Sequence, residues 1–199
     1  MSNMNQTLAH KNTIDIRIRT FCRKISSEKP VFIPYRPVDG EELKECFSIV
    51  PRYISTNGGN QIFGWHIHVW KRVMVEAEFH CVWENPLGRL VDITPKLEIG
   101  EFSLFLPAPN KKYTGSQVDS IRKALSPDAE ITTLIILHEK LFRHVNQGNL
   151  ADKYGAYPEL GGDDRFLEIL GELKNLMMKT ELKIIARYGR PSRTPTASY

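Results

Sequence analysis

Three residues in the central part of the chain have the types that thiol chemistry needs. They are Cys46, His80 and Asp92, in this order along the sequence. In such chemistry a thiolate attacks a carbonyl carbon, an imidazole takes up and returns the proton, and a carboxylate fixes the tautomer of the ring. The three residue types therefore predict cysteine-based hydrolysis or acyl transfer, provided that the fold brings them together.

The position of Cys46 depends on where the helix that contains it begins. Pro51 lacks an amide hydrogen and is tolerated best in a first turn, which favours a helix that begins just after Cys46. The sulfur would then lie at the helix N-terminus, where the dipole and the free amides stabilise a thiolate. The competing prediction is a helix that begins at Asp39 and kinks at Pro51. A short turn over 39–45 followed by a new helix reconciles the two.

The segment 75–95 predicts that His80 and Asp92 lie on two neighbouring strands joined by a turn at 85–88. If the turn residues are taken as roughly 86–89, residues whose numbers sum to about 175 face each other, and Asp92 lies opposite Trp83 and near His80, but not directly across from it. Neighbouring strands are about 4.8 Å apart, so a modest bulge would then bring the carboxylate to the imidazole.

The stretch "HCVWENPLGRLVDITP" resembles the core motif of the transglutaminase-like branch of the papain-like cysteine enzymes. In that family a cysteine at a helix start is followed by a histidine on one strand and an aspartate on the next. The longer stretch that begins at "GGNQIFGWHIHVW" is also similar to bacterial proteins of unassigned function and roughly this size. The resemblance covers residues 40–97. It implies that Cys46 is the nucleophile, His80 the base and Asp92 the orienting carboxylate.

Two departures from the family pattern lie within this motif. Trp83 stands three residues after His80, where the family usually has two, and Ile-Thr-Pro follows Asp92 where the family has Pro-Thr. No side chain stands out as the donor to an oxyanion. The nearby polar candidates are Asn57, Asn60 and Gln61.

A second constellation has residue types that suit a metal. His66 and His68 form an H-x-H pair, and alternate residues of a strand project from one face. With His80 on the adjoining strand, three imidazoles would form a site for zinc or iron. The ordinary alternative is that these histidines line a polar face of the sheet, since no further ligand motif accompanies the pair.

Composition limits the classes of function. The chain has 199 residues, 41% hydrophobic residues and a formal net charge of +4, which fits one globular domain and gives no basic stripe for nucleic acid. There is no run of eighteen apolar residues, and the polar start predicts no secretory signal. Three cysteines without a C-x-x-C pair argue against a disulfide scaffold and a thiolate zinc site, so we expect the reducing cytoplasm.

The order of elements predicts an α+β fold, with a central antiparallel sheet flanked by helices. The resemblance adds the expectation of a papain- or transglutaminase-like core. We expect one globular domain over 13–189, with disordered segments at 1–12 and 190–199. Strands are expected at 13–21, 62–70, 73–83, 89–94 and 101–107, helices at 116–125 and 163–188, and either a helix or a strand within 128–148.

These observations predict a thiol hydrolase or acyltransferase that acts on an amide, peptide or ester bond and needs no cofactor. A protein or peptide is the expected partner; a membrane and nucleic acid are not. The first alternative is a non-catalytic protein-binding module of the same fold. The second is a metal-binding protein that uses His66, His68 and His80.

Overall fold

The computed structural model describes residues 14–43, 45–97, 100–146 and 163–191. Its helices are α1 (Ile16–Cys22), α2 (Cys46–Asn57), α3 (Ala129–Val145) and α4 (Asp164–Tyr188). Its strands are β1 (Val31–Pro34), β2 (Asn60–Trp70), β3 (Met74–Glu84), β4 (Leu90–Val91), β5 (Phe102–Pro107) and β6 (Ile121–Ala124). The expected α+β class is confirmed. The predicted disordered start and nearly all of the predicted disordered tail lie outside the described residues.

The chain divides into two compact units. The first contains the described residues up to Val69 together with Ala77–Lys112, and the second contains Trp70–Glu76 and Tyr113–Pro191. Every residue of the thiol constellation and of the H-x-H pair belongs to the first unit. The division into compact units does not test the expectation of one domain over 13–189, which stays a prediction.

Five strands lie in the sheet order β1-β5-β2-β3-β4, and β6 also pairs with β3. Antiparallel pairing connects β1 with β5, β5 with β2, and β3 with β4. A parallel bridge between Tyr35 and Asp92 then joins the residues that follow β1 and β4, so the sheet nearly closes into a barrel. The amide of Asp92 donates to the carbonyl of Pro34 at 2.9 Å, and this bond anchors the chain at the point where the candidate carboxylate lies.

The alternation of side chains along these strands produces two apolar layers. One layer takes a side chain from each of the five strands: Ile33, Ile62, Val82, Leu90 and Phe105. The other layer packs α2 against the opposite face through Cys46, Ile49, Val50, Cys81 and Ile93. The helix that carries Cys46 is therefore fixed on the sheet by burial of its apolar stripe.

The second unit buries the tip of the β2–β3 hairpin against two helices. Trp70, Val73 and Met74 pack with Ile131 and Leu134 of α3, and Ile184 of α4 joins the same cluster. The segment within 128–148, for which the sequence allows either a helix or a strand, forms the helix α3. Its start is capped by the Asp128 carboxylate, which accepts a hydrogen bond from the Glu130 amide. None of the helices among the described residues has an apolar stretch long enough to cross a bilayer.

The expected strand at 13–21 is wrong, because Ile16–Cys22 forms a helix. The Asp15 carboxylate accepts a hydrogen bond from the Arg17 amide and caps this helix. The sequence also contains a helical spacing beside the alternation of apolar residues. Phe21 and Cys22 follow Ile18 by three and four residues, and these three positions are buried.

The expected helix at 116–125 is also wrong. Its last residues form β6, which pairs with β3. The Asp119 carboxylate accepts a hydrogen bond from the Arg122 guanidinium instead of capping a helix. Pairing with another strand, which lies far away in the sequence, here outweighs the local capping signal.

Candidate active site

Helix α2 begins at Cys46. Residues 39–43 are not helical, so the prediction of a helix that begins at Asp39 is wrong and the prediction of a helix that begins at Cys46 is confirmed. Pro51 falls at the sixth position of the helix, close after the first turn. The preceding residue, Glu45, provides no side-chain cap, so the first amides of the helix keep their partial positive charge beside the Cys46 side chain.

His80 and Asp92 are in direct contact. His80 Nε2 lies 3.1 Å from Asp92 Oδ1, and because an ionised carboxylate only accepts, this nitrogen carries the donated hydrogen. The strands pair Trp83 with Val91, which differs by one residue from the expected register. If this register continues for one more residue, Asp92 lies across from Val82. The side chains of Val82 and His80 are on the same face of the strand. The expected bulge is therefore not needed.

Cys46 is the third member of this group. The His80 ring acts to lower the pKa of the Cys46 thiol, and Cys46 acts to raise the pKa of His80, so the two groups lie close enough to influence each other's protonation. Since Nε2 of His80 faces Asp92, Nδ1 is the ring nitrogen that remains for the sulfur. The fold thus brings together the three residues that the sequence singled out, in the order sulfur, imidazole, carboxylate.

The Asp92 carboxylate is fully buried and has partners on both oxygens. Oδ2 accepts hydrogen bonds from Lys96 Nζ and Ser103 Oγ, each at 2.7 Å, and Oδ1 also accepts from the Thr94 amide at 3.3 Å. Burial alone would raise the pKa of Asp92. The attraction and hydrogen bond of His80, together with Lys96, outweigh it and hold that pKa well below its usual range.

Sequence reasoning missed both Lys96 and Ser103. Lys96 stands four residues after Asp92, a separation that carries no signal outside a helix. Ser103 lies on β5, and it reaches the carboxylate only because the sheet nearly closes. For this reason no local pattern in the sequence could have identified it.

The sulfur and the imidazole titrate as a coupled pair. Burial raises the pKa of the Cys46 thiol, and the His80 ring only partly offsets this. Burial also acts to lower the pKa of His80, but the attraction of Cys46 and then of Asp92 outweighs it and raises that pKa to about 10. The attraction of Cys46 requires a thiolate, so the raised pKa of His80 means that the ring holds the proton once the sulfur has given it up, and the ring can then act as an acid.

The sulfur is covered in this arrangement, since Cys46 is only 2% exposed. The Cys81 thiol donates a hydrogen bond to the Cys46 carbonyl at 3.2 Å. Access of a substrate to the sulfur therefore requires neighbouring side chains to move.

Of the three polar candidates for an oxyanion donor, Gln61 lies nearest to the start of α2. Its Nε2 donates to the Cys81 sulfur at 3.1 Å, and Cys81 in turn contacts Cys46. Asn57 instead donates to the carbonyl of Tyr53, and Asn60 donates to the Glu84 carboxylate. Among the three candidates, Gln61 is thus the one that these hydrogen bonds link to Cys46, through Cys81.

The histidines of the H-x-H pair lie beside this group. The ring centroids of His66 and His80 are 5.7 Å apart, and Lys96 Nζ donates to His66 Nε2 at 3.3 Å. Burial, together with the positive charges of His68 and Lys96, holds the pKa of His66 well below its usual range, so its ring is neutral. Among the described residues, the donor atoms that converge as for a metal belong to His66, His68 and Glu78, and His80 is not among them.

Acid is expected to destabilise the fold through Asp92. Its folded pKa lies well below that of the unfolded chain, about 3.9, so its contribution is full above that pH and is lost as the pH falls toward the folded pKa. The groups that face this carboxylate, His80, Lys96 and His66, are all basic side chains, so none of them offsets the loss. Urea unfolding between about pH 5 and pH 2 should show this loss, up to about 1.4 kcal/mol per pH unit.

The matched control for this measurement is Asp92→Asn, which removes the titrating group. The acid slope of the free energy of unfolding should be smaller in that variant by this single-proton term. An identical slope in both proteins would show that the carboxylate is not held ionised by its neighbours.

No family model matches the chain, and searches of curated proteins and of solved structures found no match either. The candidate site is therefore supported by its own geometry.

Proposed function

We propose that the protein is a thiol hydrolase or acyltransferase of the transglutaminase-like kind, acting on an amide, peptide or ester bond. The carrying observation is the 3.1 Å contact between His80 Nε2 and the buried Asp92 carboxylate, together with the mutual influence of Cys46 and His80 on their pKa values. A buried aspartate that faces Nε2 fixes the tautomer in which Nδ1 accepts a proton. That nitrogen is the one left for the sulfur.

The proposed reaction has two halves. The Cys46 thiol gives its proton to His80 Nδ1 while its sulfur forms a bond to the carbonyl carbon of the substrate. The imidazolium then returns the proton to the leaving amine or alcohol as the bond from carbon to the leaving group breaks, which yields a thioester. Water or a second amine, deprotonated by His80, attacks the thioester and releases the acyl group and the thiol.

The electrostatics of the site fit these roles. The first amides of α2 favour negative charge on the sulfur, and Gln61, which is linked to Cys46 through Cys81, is the proposed side-chain donor to the developing oxyanion. Lys96 and Ser103 hold Asp92 in place and do not touch the sulfur; they are positioning residues. The raised pKa of His80 favours its role as the acid toward the leaving group.

The substrate proposed for this site is a protein or peptide, and no cofactor takes part in the reaction. The proposed compartment is the reducing cytoplasm, because the three cysteines are free and buried, and thiol chemistry needs a reduced sulfur.

The test uses an activated ester, p-nitrophenyl acetate, with the unmodified protein. We expect a burst of nitrophenolate and an acetyl group on the peptide that contains Cys46. Cys46→Ala should abolish both, whereas the matched variant Cys22→Ala should leave both unchanged, since Cys22 lies in a different buried position on α1. Absence of acetylation, or an equal burst in Cys46→Ala, would overturn the proposal and favour the non-catalytic binding module.

A further inference from the structure

Three donor side chains converge on one face of the β2–β3 hairpin. His66 and His68 lie on β2, Glu78 lies on β3, and one donor atom from each lies within 4.8 Å of the other two. His68 Nε2 is 3.0 Å from Glu78 Oε2, and the two imidazole rings are 4.0 Å apart between centroids. All three residues belong to the first unit.

The separations are close to what a single metal ion requires. Zinc binds imidazole nitrogen and carboxylate oxygen at about 2.0–2.2 Å, so tetrahedral ligand atoms lie roughly 3.3 Å from one another. The observed cluster needs only small side-chain rotations to reach that geometry. Two histidines and one carboxylate also form a donor set known for zinc sites that keep an open position.

The cluster has one residue that is buried and two that are partly exposed to solvent. His66 is buried, whereas the side chains of His68 and Glu78 are 25% and 39% exposed. A metal held by these three residues would have its fourth position toward solvent, where water or a ligand atom could bind.

The cluster is distinct from the thiol site although the two are adjacent. His80 Nε2 is already engaged by Asp92 and is not part of the converging set. Lys96 Nζ donates to His66 Nε2 at 3.3 Å, but its contacts with Asp92 and Ser103 are shorter, at 2.7 Å. A metal bound to His66 Nε2 would replace only the contact from Lys96 to this ring. The contacts of Lys96 with Asp92 and Ser103 would remain.

We propose that His66, His68 and Glu78 form a binding site for a divalent transition metal of the zinc type. This site differs by one ligand from the three-histidine set expected from the sequence, because Glu78 takes the place of His80. The proposal does not depend on the thiol chemistry.

The test is a titration of untagged, metal-stripped protein with ZnCl2, followed by calorimetry. We expect about one equivalent to bind at this site. His68→Ala and Glu78→Gln should each weaken binding by more than about 100-fold, because loss of an outer-shell partner alone already costs 10–100-fold. These two residues are chosen because they are partly exposed, and circular dichroism of each variant would confirm that it is folded.

Matched controls separate this site from adventitious binding. His144→Ala removes a histidine whose Nε2 faces the Phe166 carbonyl, and Glu84→Gln removes a carboxylate bonded to Asn60; both should bind zinc as the parent does. His80→Asn should also retain binding. No zinc binding, equal binding in His68→Ala or Glu78→Gln, or loss of binding in His80→Asn with Glu78→Gln unaffected would each overturn the proposal. The last result would favour the three-histidine set.

Discussion

His80→Asn is expected to slow the acetylation of Cys46 by p-nitrophenyl acetate by about 10²–10⁴-fold, the usual contribution of a positioned acid–base group. Asparagine retains a polar side chain that can donate to Asp92, but it has no nitrogen that accepts a proton from the thiol. Burial raises the pKa of Cys46, so without His80 the sulfur stays a neutral thiol. The measurement is the burst rate at fixed pH, with the acetylated peptide mapped.

The control for this prediction is His138→Asn, which alters a histidine of the second unit that is flanked by Arg122, Glu76 and Asp119. Its burst rate should equal that of the parent. A burst rate in His80→Asn equal to that of the parent would show that the ring does not activate the sulfur.

Asp92→Ala is expected to lower the free energy of unfolding by about 3–5 kcal/mol, the usual cost of breaking a buried ion pair from one side. The reason is that Lys96, whose side chain is only 10% exposed, would lose its carboxylate partner in a buried position. His80 would lose its partner at the same time. Denaturation in urea, with the slope of the transition compared between variants, measures the change.

A double-mutant cycle isolates the contribution of the charges. Lys96→Met removes the ammonium and keeps an unbranched side chain of similar length, so Asp92→Ala should cost less in this background than in the parent. Coupling of about 0.5–3 kcal/mol between the two positions is expected. If the changes in the free energy of unfolding of the two substitutions simply add, the ion pair of Asp92 and Lys96 does not stabilise the fold as expected.

Short-range signals in the sequence were sufficient to locate the sulfur and the hairpin. Pro51 favours a start of α2 near Cys46 because its missing amide hydrogen is tolerated best early in a helix, and it lies inside the helix shortly after the first turn. The Asn-Pro-Leu-Gly turn sets the hairpin that carries His80 and Asp92, and the asparagine side chain accepts hydrogen bonds from the Leu87 and Arg89 amides. These features are local, so a single sequence reveals them.

The remainder of the site depends on contacts between distant parts of the chain. The hairpin register shifted by one residue relative to expectation, and such a shift moves every side chain to the other face. Ser103 reaches Asp92 across the nearly closed sheet, and Glu78 replaces His80 among the converging donors because Asp92 already engages the ring. The composition and the periodicity of the sequence do not reveal these contacts.

The most direct test of the account compares the three cysteines of one native protein. All are buried, and the His80 ring acts on the pKa of Cys46, whereas burial raises the pKa of Cys22 to about 12 with no base among its causes. Iodoacetamide is added at neutral pH, and the label on each cysteine is followed by peptide mass spectrometry. The account predicts that Cys46 is alkylated ahead of Cys22 and Cys81, and that its rate falls in His80→Asn. Alkylation of Cys46 no faster than that of Cys22 would contradict it.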